Sequence, residues 1–272
     1  MKRFVSIFVV FVLIVTSVFA TAGVAYADTS YVEDTDIEYP VKGGNLYFDE
    51  KTGNITGYYG NITNVIVPDK INGVTVRRIE FHAFSSCDSL ISIKILANIT
   101  RIEKNTFDGC SSLTSINIPE SVTNIGDGAF DSCSSLKYIN IPKGVTSIGS
   151  YAFQDCSSLK SINISKGVTN IGYDAFSRCS SLREITIPGS IKRIGSAFDG
   201  CSLNKVTLEY GVVSVGEGAF YENNIIELNL PSSLKDIERS AFSSNRLTKV
   251  TIPEGVTSIG EYAFCENHII EL

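Results

Sequence analysis

Apolar residues recur along this chain in short alternating runs, and the runs repeat. In residues 136–153 a leucine and two isoleucines, Leu136, Ile139 and Ile141, are followed by Val145 and Ile148, and then by the pair Ala152-Phe153. The alternation at Ile139 and Ile141 has the period of a strand. Pro142 ends that strand, because proline has no amide to donate to a ladder. The β-branched run Val145-Thr146-Ser147-Ile148 predicts a second short strand or an extended turn. Gly149 then lets the chain bend so that Ala152 and Phe153 point inward. No segment has sustained helical periodicity. The phrase recurs with an anchoring phenylalanine at Phe84, Phe107, Phe130, Phe153, Phe176, Phe198, Phe220, Phe242 and Phe264, in steps of 23 residues and then of 22. The shorter steps have visible deletions: IGSAF at 194–198 against IGSYAF at 148–153, and CSL at 201–203 against CSSL at 133–136.

The repetition predicts the architecture. The apolar side chains of one unit cannot by themselves offset the entropy of ordering its backbone. Stacked units hydrogen-bond strand to strand and close the core above and below each coil, the arrangement of a solenoid. The predicted fold is therefore β-rich, with parallel strands stacked one per 22–23-residue repeat and little α-helix.

The full phrase, IPxxVTxIGxxAFxxCSSLxxIxIP, resembles the BspA-like bacterial leucine-rich repeat family, and the resemblance runs over residues 66–272. Residues 45–84 resemble that family's opening segment. Within them, 46–48 and 55–59 read as a hairpin turning at 49–54, and the inserted DKINGV at 69–74 fits a longer first repeat. The expected organisation is a signal peptide at 1–27, an N-terminal segment with a cap hairpin at 28–75, and leucine-rich repeats at 76–272, the last of them incomplete. The cap, at 40–75, would cover the open face of the first coil. The chain stops in mid-strand, and we expect a longer reading frame. The resemblance implies a cell-surface or extracellular protein that attaches to host or neighbouring-cell proteins.

The first residues place the chain outside the cell. Met1-Lys2-Arg3 is a basic start, residues 4–20 are almost entirely apolar, and Ala25-Tyr26-Ala27 is a small-residue cleavage signal before Asp28. The alternative is an uncleaved N-terminal anchor. Cleavage is expected, because the cleavage signal follows directly and no basic stop-transfer residues do. Contact with the membrane is then limited to export. With 23 basic and 29 acidic residues, the chain has no electrostatic reason to bind nucleic acid.

One register of the repeat is chemically suggestive. Cys87, Cys110, Cys133, Cys156, Cys179 and Cys201 each lie three residues after an anchor phenylalanine, and Asn223, Asn245 and Asn267 take the same place in the last three units. Asparagine in that slot satisfies backbone groups of the loop, and a compact cysteine does similar work as a small buried hydrophobe. The exchange of one for the other argues against obligatory thiol chemistry. Disulfides between neighbouring coils are the competing reading, since exported proteins allow them. In-register side chains point the same way, however, and their Cβ atoms stay about one strand spacing apart. Sulfurs in a line do not converge on a tetrahedral zinc ion, so no metal and no cofactor is expected. Cys265 lies off the ladder, and its C-x-x-H pairing with His268 is attributed to chance.

Catalytic signatures are missing from the sequence. The two histidines, His82 and His268, fall at opposite ends of the stack, and no nucleophile elbow, P-loop or zinc-protease motif occurs. Asp108, Asp131, Asp155 and Asp174 sit near unit corners, where solvated or capping acids are expected. The chain reads as a non-enzyme. Between the two strand isoleucines runs a polar column of Lys94, Asn117, Asn140, Asn163, Thr186, Thr207, Asn229 and Thr251. Beside it, Lys137, Lys160 and Arg183 form a small basic patch with Tyr138, and this is the candidate ligand-binding site. The expected function is a secreted or cell-surface scaffold of adhesion type that binds an extracellular protein or glycan. The alternative is an architectural module that presents a separate extracellular domain missing from this chain.

Overall fold

The structure, a computed structural model, describes residues 36–271. The expected signal peptide lies outside the described residues. The chain opens as an antiparallel meander of Ile37–Val41, Gly44–Asp49 and Asn54–Gly60. Leu46, Phe48 and Ile55 alternate into the core and are fully buried. Asn54 and Ile55 then pair in parallel with Arg78 and Ile79, which hands the sheet over to the repeats. The insertion at 69–74 is a small hairpin of Lys70–Ile71 and Val74–Thr75. Its turn residues Asn72 and Gly73 have φ of 50° and 83°, the two left-handed positions of a type I′ turn.

From there the chain coils. The first strands pair in parallel with their counterparts one coil on in three separate ladders, which include Asn64–Val67 with Ser92–Ile95, Tyr138–Ile139 with Ser161–Ile162, and Glu184–Ile187 with Lys205–Leu208. The second strands form their own parallel ladders, one from Arg101–Ile102 to Asn170–Ile171 and one from Arg193–Ile194 to Ser258–Ile259. The register is fixed because each strand isoleucine must meet the next inside the coil, as Ile125 meets Ile102 and Ile148. The described residues contain no helix.

The corner around each anchor phenylalanine is a third hydrogen-bonded side, where the sequence predicts only a bend. The residues two before and two after the phenylalanine are left-handed, as at Tyr151 (φ 59°) and Asp155 (φ 53°), which flank Phe153; Ser196, before Phe198, is the exception among the anchors. This zigzag turns alternate amides along the stack axis. Tyr151, Phe153 and Asp155 donate to the carbonyls of Tyr173, Ala175 and Ser177 of the next coil at 2.8, 2.7 and 3.0 Å. Inside the corner the phenylalanines from Phe84 to Phe264 stack with centroids 5.1–5.5 Å apart, and their planes lie within 12° of parallel. Tyr58 closes the column at its N-terminal end, 6.1 Å from Phe84.

Candidate functional site

The slot three residues past each phenylalanine is built by the corner. The Sγ of Cys133 donates to the Phe107 carbonyl of the preceding coil at 3.1 Å, and Cys110, Cys156, Cys179 and Cys201 make the same bond at 3.0–3.2 Å. Cys87 has no such coil before it and packs its sulfur 3.8 Å from the Ser89 hydroxyl. All six ladder thiols are free and buried, and Cys265 is free and exposed. Burial pushes the Cys133, Cys156 and Cys179 thiols far above the ordinary range. Among the described residues no group of His, Cys, Asp and Glu could hold a metal ion.

Asn223, Asn245 and Asn267 keep that donor bond, reaching Phe198, Phe220 and Phe242 at 2.8–2.9 Å. They also add an acceptor. Their Oδ1 atoms receive the amides of Leu203, Ile225 and Leu247, each one coil back, at 3.0 Å. The reason is loop length. Where the slot is followed by two residues and then leucine, the leucine amide closes a turn onto the cysteine carbonyl, as Leu136 does onto Cys133 at 3.0 Å. Where one residue is deleted, as in Cys201-Ser202-Leu203, that turn is replaced and the amide reaches for the next coil's side chain instead. Asparagine can receive it and also keep the cysteine's donor bond.

On the first-strand face Lys137 and Lys160 stand on adjacent coils, joined by the Lys160 amide donating to the Lys137 carbonyl at 3.0 Å. Tyr138 lies in register with Ser161 and is 59% exposed. The fold therefore brings Lys137, Tyr138 and Lys160 together in the open. Arg183 stands one coil on, beyond a break in the ladder between Ser161–Ile162 and Glu184–Ile187. Its guanidinium is engaged by the Ser180 and Ser202 carbonyls at 3.0 and 3.4 Å. In the neighbouring column Asn117 binds the strand before it, donating to the Ile95 carbonyl and accepting from its amide.

The corner carboxylates divide into two groups. Burial raises the pKa of Asp108, Asp131, Asp174 and Asp199, and Asp108 and Asp155 push Asp131 further by like charge. Asp155 goes the other way, lowered by the two-pronged bond from Arg178 at 2.7 Å.

Sequence reasoning missed a groove on the second-strand face. Gly126, Gly149 and Gly172, each following a second-strand isoleucine, lie against the backbone of the coil before them. A Cβ on Gly149 would fall 2.5 Å from the Asp127 amide nitrogen, and one on Gly172 would fall 2.3 Å from that of Ser150. These bare positions floor two hollows of about 260 and 810 Å³, which share Asn170 and Gly172 and so form one channel. The larger hollow lies where the second-strand ladder breaks between Asn170–Ile171 and Arg193–Ile194. That break falls at the deletion in IGSAF, where a Cβ on Gly195 would touch nothing. The deletion was the available signal, but its consequence depends on the facing coil.

Residues 77–197 and 180–272 match the family described as the BspA type leucine rich repeat region, in six copies. Among solved structures the chain is similar to a leucine-rich repeat protein of T. pallidum, at 30% identity over 82% of this chain and 86% of that one, with a TM-score of 0.48. It is similar to a leucine rich cell surface protein of Faecalibacterium prausnitzii at 24% identity, over 85% and 86% of the two chains, with a TM-score of 0.42. The pneumococcal vaccine antigen PcpA shares 20% identity over 87% of this chain and 78% of that one, with a TM-score of 0.46. No curated protein matches the chain.

Proposed function

Because the chain belongs to the BspA-type leucine-rich repeat family, we propose that it is a non-catalytic scaffold, displayed outside the cell, that binds an extracellular protein or glycan. The observation that carries this reading is the exposed first-strand face. Lys137, Tyr138 and Lys160 stand together there on paired strands, while Ile139, between them in the ladder, turns inward. A tyrosine flanked by cations offers an amphipathic ring and charge-assisted hydrogen bonds at small entropic cost, since the strands already fix the backbones. Arg183 contributes at the edge of this patch, with its guanidinium partly committed to the corner. The basic start, apolar run and cleavage signal at 1–27 support export.

A binding screen of the purified chain against arrayed extracellular proteins and glycans tests the reading. A ligand should be found, and the combined Lys137→Ala, Tyr138→Ala, Lys160→Ala and Arg183→Ala variant should bind it about tenfold or more weakly. Equal binding by that variant would remove the patch from the account. Failure to bind any arrayed molecule would remove the adhesive reading.

A further inference from the structure

We propose that the glycine-floored channel on the second-strand face is a second binding site, built for an extended, uncharged oligosaccharide lying along the stack. The inference rests on the binding-scaffold reading above and names a ligand class and a different face. Four features carry it. The first is shape: the two hollows adjoin at Asn170 and Gly172 and together extend from Arg101 to Glu217, over a floor bare at Gly126, Gly149 and Gly172. The second is spacing. Equivalent atoms of successive coils are 5.1–5.5 Å apart at the phenylalanine column, close to the advance of one equatorially linked pyranose unit. Successive coils would thus meet successive sugars, with the same face presented at every second coil, since neighbouring β-1,4-linked units are flipped relative to one another.

The third feature is charge. The channel's charged residues are Arg101, Lys104 and Arg193 against Glu103, Asp127 and Glu217, three of each sign. Arg101 lies 4.0 Å from Glu103, and Arg193 is held by Glu238 at 2.7 Å. Such a lining offers donors and acceptors to hydroxyls and no net field to an ion. The fourth is an aromatic platform. Tyr173 lines the wide part of the channel and is 55% exposed. Tyr151, one coil back, fixes its orientation edge to face at 5.7 Å. A tyrosine ring presents an apolar surface to the C–H face of a pyranose and a polar tip to its hydroxyls. Asn170 and Ser196 stand beside it as hydrogen-bonding groups.

The test is isothermal titration of the intact chain with cellohexaose and chitohexaose, which are extended β-1,4-linked chains, and with maltohexaose, whose α-1,4 linkage curls. At least one extended hexaose should bind and maltohexaose should not. Tyr173→Ala should weaken binding by about tenfold. Asn170→Ala, also at an exposed position, should weaken it independently, and the combined patch variant should bind as the unaltered chain does. Absence of binding by both extended hexaoses overturns the inference. So does a Tyr173→Ala variant that retains its circular dichroism spectrum and full affinity, or loss of binding in the patch variant instead. A protein ligand found on the first-strand face without any hexaose binding leaves the scaffold reading intact and sinks the channel alone.

Discussion

Arg193 and Glu238 form a two-pronged ion pair, at 3.0 and 2.7 Å, although an entire coil lies between them. The bridge is possible because the intervening residue is Gly216, where a Cβ would meet the Ile194 carbonyl oxygen at 2.7 Å and the Arg193 guanidinium at 3.0 Å. Glu238 also accepts the Glu217 amide and the Ser214 hydroxyl, so one carboxylate ties three coils together. The pair is more than a third exposed, and solvent screens it. A double-mutant cycle on Arg193→Ala and Glu238→Ala should give a coupling of about 0.5–1 kcal/mol that falls with added salt. Additive losses would show that the bridge contributes nothing.

The carboxylates predict a pH dependence with two opposing parts. The folded pKa values of Glu238 and Asp155 are lowered, by Arg193 and Arg178. Their contribution is complete above the unfolded carboxyl range and is lost as the pH falls through the lowered values. Asp108, Asp131, Asp174 and Asp199 are raised, chiefly by burial. Each penalises the folded state once ionised, and the penalty vanishes below the unfolded value. The urea midpoint should therefore decline as the pH rises from about 4 to about 7. Replacing the four aspartates by asparagine should flatten that decline, as urea melts across the range will reveal. An unchanged slope would remove these groups from the account.

Loop length and the ladder residue should be energetically coupled. Asn245→Cys keeps a donor for the Phe220 carbonyl but strands the Ile225 amide, whose acceptor is the Asn245 Oδ1 at 3.0 Å. The expected cost is about 1–3 kcal/mol in urea unfolding. The analogous Asn223→Cys change should be largely rescued by inserting a serine after Ser202, because the longer loop restores the turn onto the Cys201 carbonyl. If the insertion and the substitution add independently, the coupling does not exist.

The thiol ladder should be chemically silent. Burial pushes Cys87 up to about 11, and the deeper sulfurs Cys133, Cys156 and Cys179 are also raised. Cys265 is the exposed thiol. Alkylation of the folded chain followed by mass spectrometry should label Cys265 alone, and denaturation should release all seven cysteines. Paired ladder cysteines in protein prepared under oxidising conditions would contradict this.

The phenylalanine column is where truncation should hurt most. Phe153 is fully buried between rings at 5.3 and 5.2 Å, so Phe153→Ala opens a cavity that the neighbouring coils cannot close. A loss of about 3–5 kcal/mol is expected by chemical denaturation. Arg178→Ala, two residues beyond the next ring at Phe176, should cost no more than about 1 kcal/mol, because its pair with Asp155 is exposed.

By itself the sequence determined the coil. The spacing of Phe84 to Phe264 set the repeat, and the alternation at Ile139 and Ile141 set which side chains turn inward, because side-chain direction follows directly from the period of the strand. The tertiary structure alone decided what lies between coils. The left-handed corner at Tyr151 and Asp155 is held by amides bonding to the next coil, and backbone groups are the same for every residue type. The amide that Asn223 accepts belongs to Leu203, one coil away, so the choice of asparagine cannot be read within its own repeat. The channel beside Tyr173 likewise follows from one missing residue near Gly195, and a deletion opens space only against the coil that faces it.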